Sequence, residues 1–124
     1  MKSFKRARAL VGKGESALVL FTRGPNFRIG RNGRRGSTGN WNLNARRAEK
    51  ADWILVYLQG DSGAALWRAK NAGLRPGRRR RGKVTQGWRV KLADLRLVGH
   101  TNQDWWEFAG SGKGGRREVR YVAR

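Results

Sequence analysis

Residues Trp53–Leu58 read WILVYL: six side chains with no polar interruption, four of them β-branched or aromatic. An apolar run this short, rich in β-formers and bounded by polar turns, predicts a strand covered on both faces. It is far too short to cross a bilayer. The stretch before it, Gly36 to Ala51, opens with turn residues (GSTGN), passes through Trp41, Asn42 and Asn44, and continues as ARRAEKA. Asn44 is placed to cap a short helix over Ala45–Ala51, because its side-chain oxygen can accept an orphan backbone N–H. After the strand, QGDSG (Gln59–Gly63) is a turn.

Working outward, Ser16–Thr22 (SALVLFT) predicts a second buried strand. The segment Arg23–Asn40 is dense in Gly, Pro and Asn and reads as loop, with a short extended piece where Phe27 and Ile29 alternate with Arg28. Ala64–Gly73 is balanced: Asp61 or Ser62 could cap a helix that Gly73 ends and Pro76 follows, yet a strand fits too. Leu74–Gly87 carries GRRRRGK and is expected to be a mobile basic loop until it meets a polyanion. Trp88, Val90 and Leu92 alternate with Arg89 and Lys91, and the alternation resumes at Leu95 and Leu97 after a turn at Ala93-Asp94. A glycine loop, residues 110–117, leads into a last strand over Glu118–Ala123, with Val119, Tyr121 and Ala123 on one face and Arg120 and Val122 on the other. About five short strands at turn-rich intervals predict a mostly β fold, a small strongly curved barrel with one or two short helices.

The chain has 124 residues, enough for one domain over residues 1–124. Hydrophobic residues make up 38 % of it, which supports a modest core despite the charge. Lys and Arg number 29 against 8 acidic residues, for a formal net charge of +21. Self-repulsion of that size opposes compaction, and a polyanionic partner relieves it. Nucleic acid, DNA or RNA, is the partner this charge implies, because each neutralised phosphate releases a counterion. With no Cys, disulfides, Cys-ligated zinc and thiol nucleophiles are excluded. The N-terminus lacks a signal peptide's uninterrupted apolar core and is poor in Ser for a transit peptide. A soluble intracellular protein, cytoplasmic or nucleoid-associated, is the expectation, with no membrane partner and no cofactor.

Three basic glycine-rich loops are the expected phosphate contacts, since Gly lets the backbone approach and Arg supplies the charge. Their candidate residues are Arg28, Arg31, Arg34 and Arg35 in the first loop. Arg78, Arg79, Arg80, Arg81 and Lys83 follow in the second, and Arg116 and Arg117 in the third. Gly30–Ser37 lacks the Gly-Lys-Ser/Thr ending of a nucleotide-triphosphate loop. Aromatic rings beside these loops are candidates for stacking on bases, above all Trp41 and one of the pair Trp105 and Trp106, here taken as Trp105. Trp53, Trp88, Tyr57 and Tyr121 are assigned to packing. A rival site is His100, Asp104 and Glu107, spaced to share a face if the segment were helical, which would suit a small metal-dependent nuclease. Their commoner role is to cap helices and tether nearby Arg side chains.

Trp41 and Asn44, followed by Ala45-Arg46, Lys50, Asp52 and the strand Ile54-Leu55-Val56-Tyr57, resemble the central part of EVE and YTH-like domains of the PUA-like superfamily of modified-base readers. The likeness spans Gly36 to Tyr57 and departs after Tyr57, where no glycine-rich hydrophobic segment leads into the next strand. It implies a small twisted barrel whose pocket holds a base among aromatic rings and an Asn, with Trp41 and Asn44 as the matching positions, and a domain that binds without cutting. A ribosomal or nucleoid protein that simply coats phosphate is the remaining expectation.

Overall fold

The protein's structure, a computed structural model, describes residues 2–77, 87–110 and 118–124. Its strands are β1 (Ser16–Thr22), β2 (Phe27–Ile29), β3 (Gly36–Trp41), β4 (Trp53–Gln59), β5 (Ala64–Pro76), β6 (Trp88–Thr101) and β7 (Val119–Ala123). Two one-turn helices, α1 (Ala45–Glu49) and α2 (Trp105–Ala109), and a 3-10 turn at Ala7–Leu10 complete the described elements. The fold is mostly β, in one seven-stranded sheet of order β2-β3-β6-β5-β4-β1-β7. Every ladder is antiparallel except β1–β4.

The central strands are buried on both faces, as their unbroken apolar runs require. Alternation sends Ala17 and Val19 of β1, with Leu55 and Tyr57 of β4, to one core beneath the 3-10 turn and α2. Leu18 and Leu20, with Ile54 and Val56, go to a second core that also takes Trp41 of β3 and Val90 and Leu92 of β6. Laid flat, β3 and β7 stand five strand spacings apart, about 24 Å. Trp41 of β3 and Tyr121 of β7 nevertheless line one cavity, so the sheet curls its two ends toward each other. Register shifts, where a bulge bends its strand, interrupt the β5–β6 ladder. At one of them four residues of β6 (Ala93 to Arg96) span three of β5 (Arg68 to Lys70), and Asp94 there has φ +52°. The strand order keeps two ends, β2 and β7, and no ladder among the described residues joins them into the closed barrel that was expected.

Two expectations need correction and one open choice is settled. Gly36–Trp41 is a strand, not loop: its Gly and Asn favour turns locally, but ladders to β2 and β6 outweigh that preference. Ala64–Gly73 is strand, within β5, because pairing with β4 from Ala64 to Lys70 settles what local propensity left open. Trp88–Thr101 is one kinked strand and does not break at Ala93-Asp94. At its far end Phe4 donates to the His100 carbonyl (2.9 Å) and His100 to the Lys2 carbonyl (2.9 Å). Only glycine fits at Gly99, since a Cβ there would strike the Lys2 carbonyl and stand 2.7 Å from the Phe4 ring.

Candidate nucleic-acid interface

The cavity at the seam lies between the end of β3, the start of α1 and β7, with a volume of about 860 Å³. Asn40, Asn42 and Asn44 line it together with Trp41, Arg47 and Tyr121, and the carboxylate-bearing Glu118 stands at the edge it shares with the cleft beside α2. The local sequence explains the arrangement. Trp41 ends β3 facing the core, 3 % exposed, and its indole N–H donates to the Thr38 hydroxyl at 3.1 Å. Asn44 caps α1, its Oδ1 accepting the Arg47 N–H at 3.2 Å. The Arg47 guanidinium lies 4.1 Å from the centre of the Tyr121 ring, a cation–π contact. The Tyr121 hydroxyl donates to the Asn44 carbonyl at 3.3 Å, tying β7 to α1. Burial pushes the Tyr121 phenol up from its ordinary value of 10.0, against the pull of the Arg47 cation. Asn42 is exposed at the rim, and among the described residues no hydrogen bond engages its amide.

Of the predicted phosphate contacts, Arg28 stands on β2, and Arg31, Arg34 and Arg35 lie in the β2–β3 turn, all four exposed. Arg28 and Arg35 line a groove of about 530 Å³ on the outer face of the sheet with Arg75 and Lys91. Arg78, Arg79, Arg80, Arg81, Lys83, Arg116 and Arg117 lie outside the described residues. Asn44 lines the cavity, with its side-chain oxygen occupied by the cap. Trp41 is corrected: the ring is cavity wall and core, not an open stacking face.

Trp105 is corrected as well. Trp105 and Phe108, three apart on α2, both turn into the core, which leaves Trp106 as the exposed member of the pair at 37 %. The Trp105 ring packs edge-on against Phe21 (5.6 Å) and Tyr57 (5.5 Å). The rival triad is not assembled. His100 belongs to β6, Asp104 caps α2 by accepting the Glu107 N–H at 2.9 Å, and Glu107 pairs with Arg6 at 3.3 Å. Among the described residues no three His, Cys, Asp or Glu side chains gather closely enough to hold a metal ion.

A second cleft, about 580 Å³, sits beside α2 and contains Asp61, Asp104 and Glu118, with Arg23 and the rings of Trp105 and Trp106. Three carboxylates make it a poor seat for a phosphate. Burial, helped by the Asp104 charge, pushes the Tyr57 phenol there up from 10.0. Residues that the sequence did not single out are Asn40, Arg47, Arg89 and Lys91. For Arg89 and Lys91 a signal exists, since they alternate with core residues Val90 and Leu92 and must therefore face outward. Comparison with family models, curated proteins and solved structures returns no match to this chain, so the site stands on its own residues.

Proposed function

We propose that this is a non-catalytic nucleic-acid-binding domain that takes one unstacked base into the Asn-lined cavity and holds the backbone with arginines. The observation that carries it is the convergence of three Asn side chains with Trp41, Tyr121 and Arg47 on one cavity in a chain of net charge +21. Amide side chains offer a donor and an acceptor together, the pattern that reads a base edge. The cavity volume falls in the range of small-ligand sites. Tyr121, covered by Arg47, replaces Trp41 as the flat contact, and Asn42 has its amide available. Under this proposal the curled sheet is a barrel-like one of the PUA type, with the base entering at the seam.

The test is a binding panel of single- and double-stranded DNA and RNA, with and without base modification, beside a matched abasic single strand. Base stacking and one bidentate amide contact are each worth about 1–3 kcal/mol, so the preferred base-containing strand should bind at least about ten-fold tighter than the abasic one. Asn42→Ala should shrink that ratio. Equal affinity for both strands would rule out base uptake.

One observation favours a second reading, a structural protein that coats phosphate: Trp41 is 3 % exposed and offers no stacking platform. That reading predicts no preference among single-stranded, duplex and modified ligands.

A further inference from the structure

Basic side chains are abundant over this chain, so abundance alone selects no face. Four features single out the outer surface of β2, β3, β6 and β5. First, the cavities share lining residues. A second groove of about 530 Å³, lined by Arg28, Ser37, Asn40 and Arg89, shares Asn40 with the base cavity and shares Arg28 and Ser37 with the Arg75–Lys91 groove. Second, cations are aligned by register. Arg28 on β2, Ser37 on β3 and Lys91 on β6 are successive partners in one row, and Arg75 on β5 stands directly opposite Arg89 on β6. Like charges opposite each other in an antiparallel ladder destabilise it unless an anion lies between them; the other opposed pair, Arg68 and Arg96, has partners of its own, Arg96 with Asp94 at 3.6 Å and Arg68 donating to the Leu10 carbonyl at 3.1 Å.

Third, Arg89 is set in place and left unmatched. Its side chain starts against Gly39 of β3, where a Cβ would stand 2.7 Å from Arg89 Cγ. Its Nε is buried and has no hydrogen-bond partner among the described residues. A buried charged donor without an acceptor is costly, and a phosphate oxygen supplies one. Fourth, neither groove has a carboxylate among its described lining residues. The described ion pairs on this sheet, Lys70 and Arg96 with Asp94, lie outside both grooves.

We infer that these grooves form a phosphate track for a single strand. It runs from the base cavity past Asn40, over Arg89 and Arg28, to Lys91, Arg75 and Arg35. From Asn40 to Ser37 the strand advances about 10 Å, the length of about three nucleotides at stacked spacing. The inference rests on the proposed base uptake for its starting point. A duplex cannot deliver one base to the seam and follow the curl of the sheet without being opened, so the ligand class is single-stranded nucleic acid.

The test is a salt series on the full chain with a single-stranded oligonucleotide, its abasic counterpart and the matching duplex, for wild type, Arg89→Gln, Lys91→Gln and the double variant. Each lost phosphate contact on a single strand should lower the log–log salt slope by about 0.7, equally for base-containing and abasic strands. Arg96→Gln, outside the track, should leave the slope unchanged. The free Arg89→Gln protein should melt at the wild-type temperature or above it, because the opposed Arg75 charge is relieved. No salt-dependent binding by wild type overturns the nucleic-acid proposal itself. Binding with base selectivity intact but an unchanged slope in the double variant overturns the track alone. An equal loss in Arg96→Gln, or a lower melting temperature for free Arg89→Gln, also overturns it.

Discussion

Asn71 offers a quantitative test of how the fold positions the cavity. It sits at a bulge in β5, and its amide nitrogen donates to the carbonyls of Ala48 (2.8 Å) and Ala51 (3.0 Å), at the C-terminal end of α1, with Glu49 at 3.5 Å. Its oxygen accepts the Gly73 N–H at 3.0 Å, where φ is +98°. Asn71→Asp keeps the size and the acceptor and removes both donors. Two hydrogen bonds at about 1 kcal/mol each give a loss of about 2 kcal/mol. The new carboxylate then faces helix-terminal carbonyls, adding up to about 1 kcal/mol. For a chain of this length about 2–3 kcal/mol corresponds to a fall of about 8–12 °C in melting temperature. Calorimetry at neutral pH measures it. Since α1 presents Asn44 and Arg47 to the cavity, base selectivity should fall with stability while the salt slope stays. An unchanged melting temperature would refute the claim that Asn71 fastens α1 to the sheet.

Three further outcomes are expected. Trp105→Ala should cost about 3–5 kcal/mol by denaturant unfolding, because it empties a core contact with Phe21 and Tyr57; Trp106→Ala should change stability by no more than about 0.5 kcal/mol. Gly99→Ala should destabilise by about 1–3 kcal/mol and raise protease cleavage near Lys2 and Lys5, as its new methyl displaces the N-terminal segment. The folded Tyr57 phenol titrates above its ordinary 10.0, so the native state holds that proton more tightly. Its contribution is present below pH 10 and is lost as pH rises through the raised value. Tyr57→Phe should cost about 1 kcal/mol at neutral pH through its lost bond to the Gln103 carbonyl (2.8 Å) and should flatten the alkaline loss in a melting series.

The central strands were legible because double-sided burial leaves an unbroken apolar run: WILVYL and SALVLFT could be little else. The Asn44 cap was legible too, since it is a local interaction written in adjacent residues. β3 was not. Gly36, Gly39 and Asn40 carry turn preferences, and the strand exists through its partners on β2 and β6, far away in sequence. The same holds for Ala64–Gly73, where helix start and stop signals were present and the β4 ladder overrode them. For Trp105 and Trp106 adjacency alone does not say which ring faces outward; on a helical turn the spacing to Phe108 decides it. The cationic track is the least legible feature. Arg75 and Arg89 become neighbours only through the β5–β6 register, although the outward direction of Arg89 and Lys91 followed from simple alternation.

The central claim, that a base enters the cavity between β3, α1 and β7, is tested most directly by photo-crosslinking. A single strand carrying one photoreactive base is irradiated in complex with the protein, and the attached residues are mapped by mass spectrometry. Cross-links are expected at Asn40, Asn42, Arg47 and Tyr121, reduced by Asn42→Ala. Cross-links scattered over the basic surface with none in the cavity, or gathered at Trp106 in the acidic cleft, would contradict it.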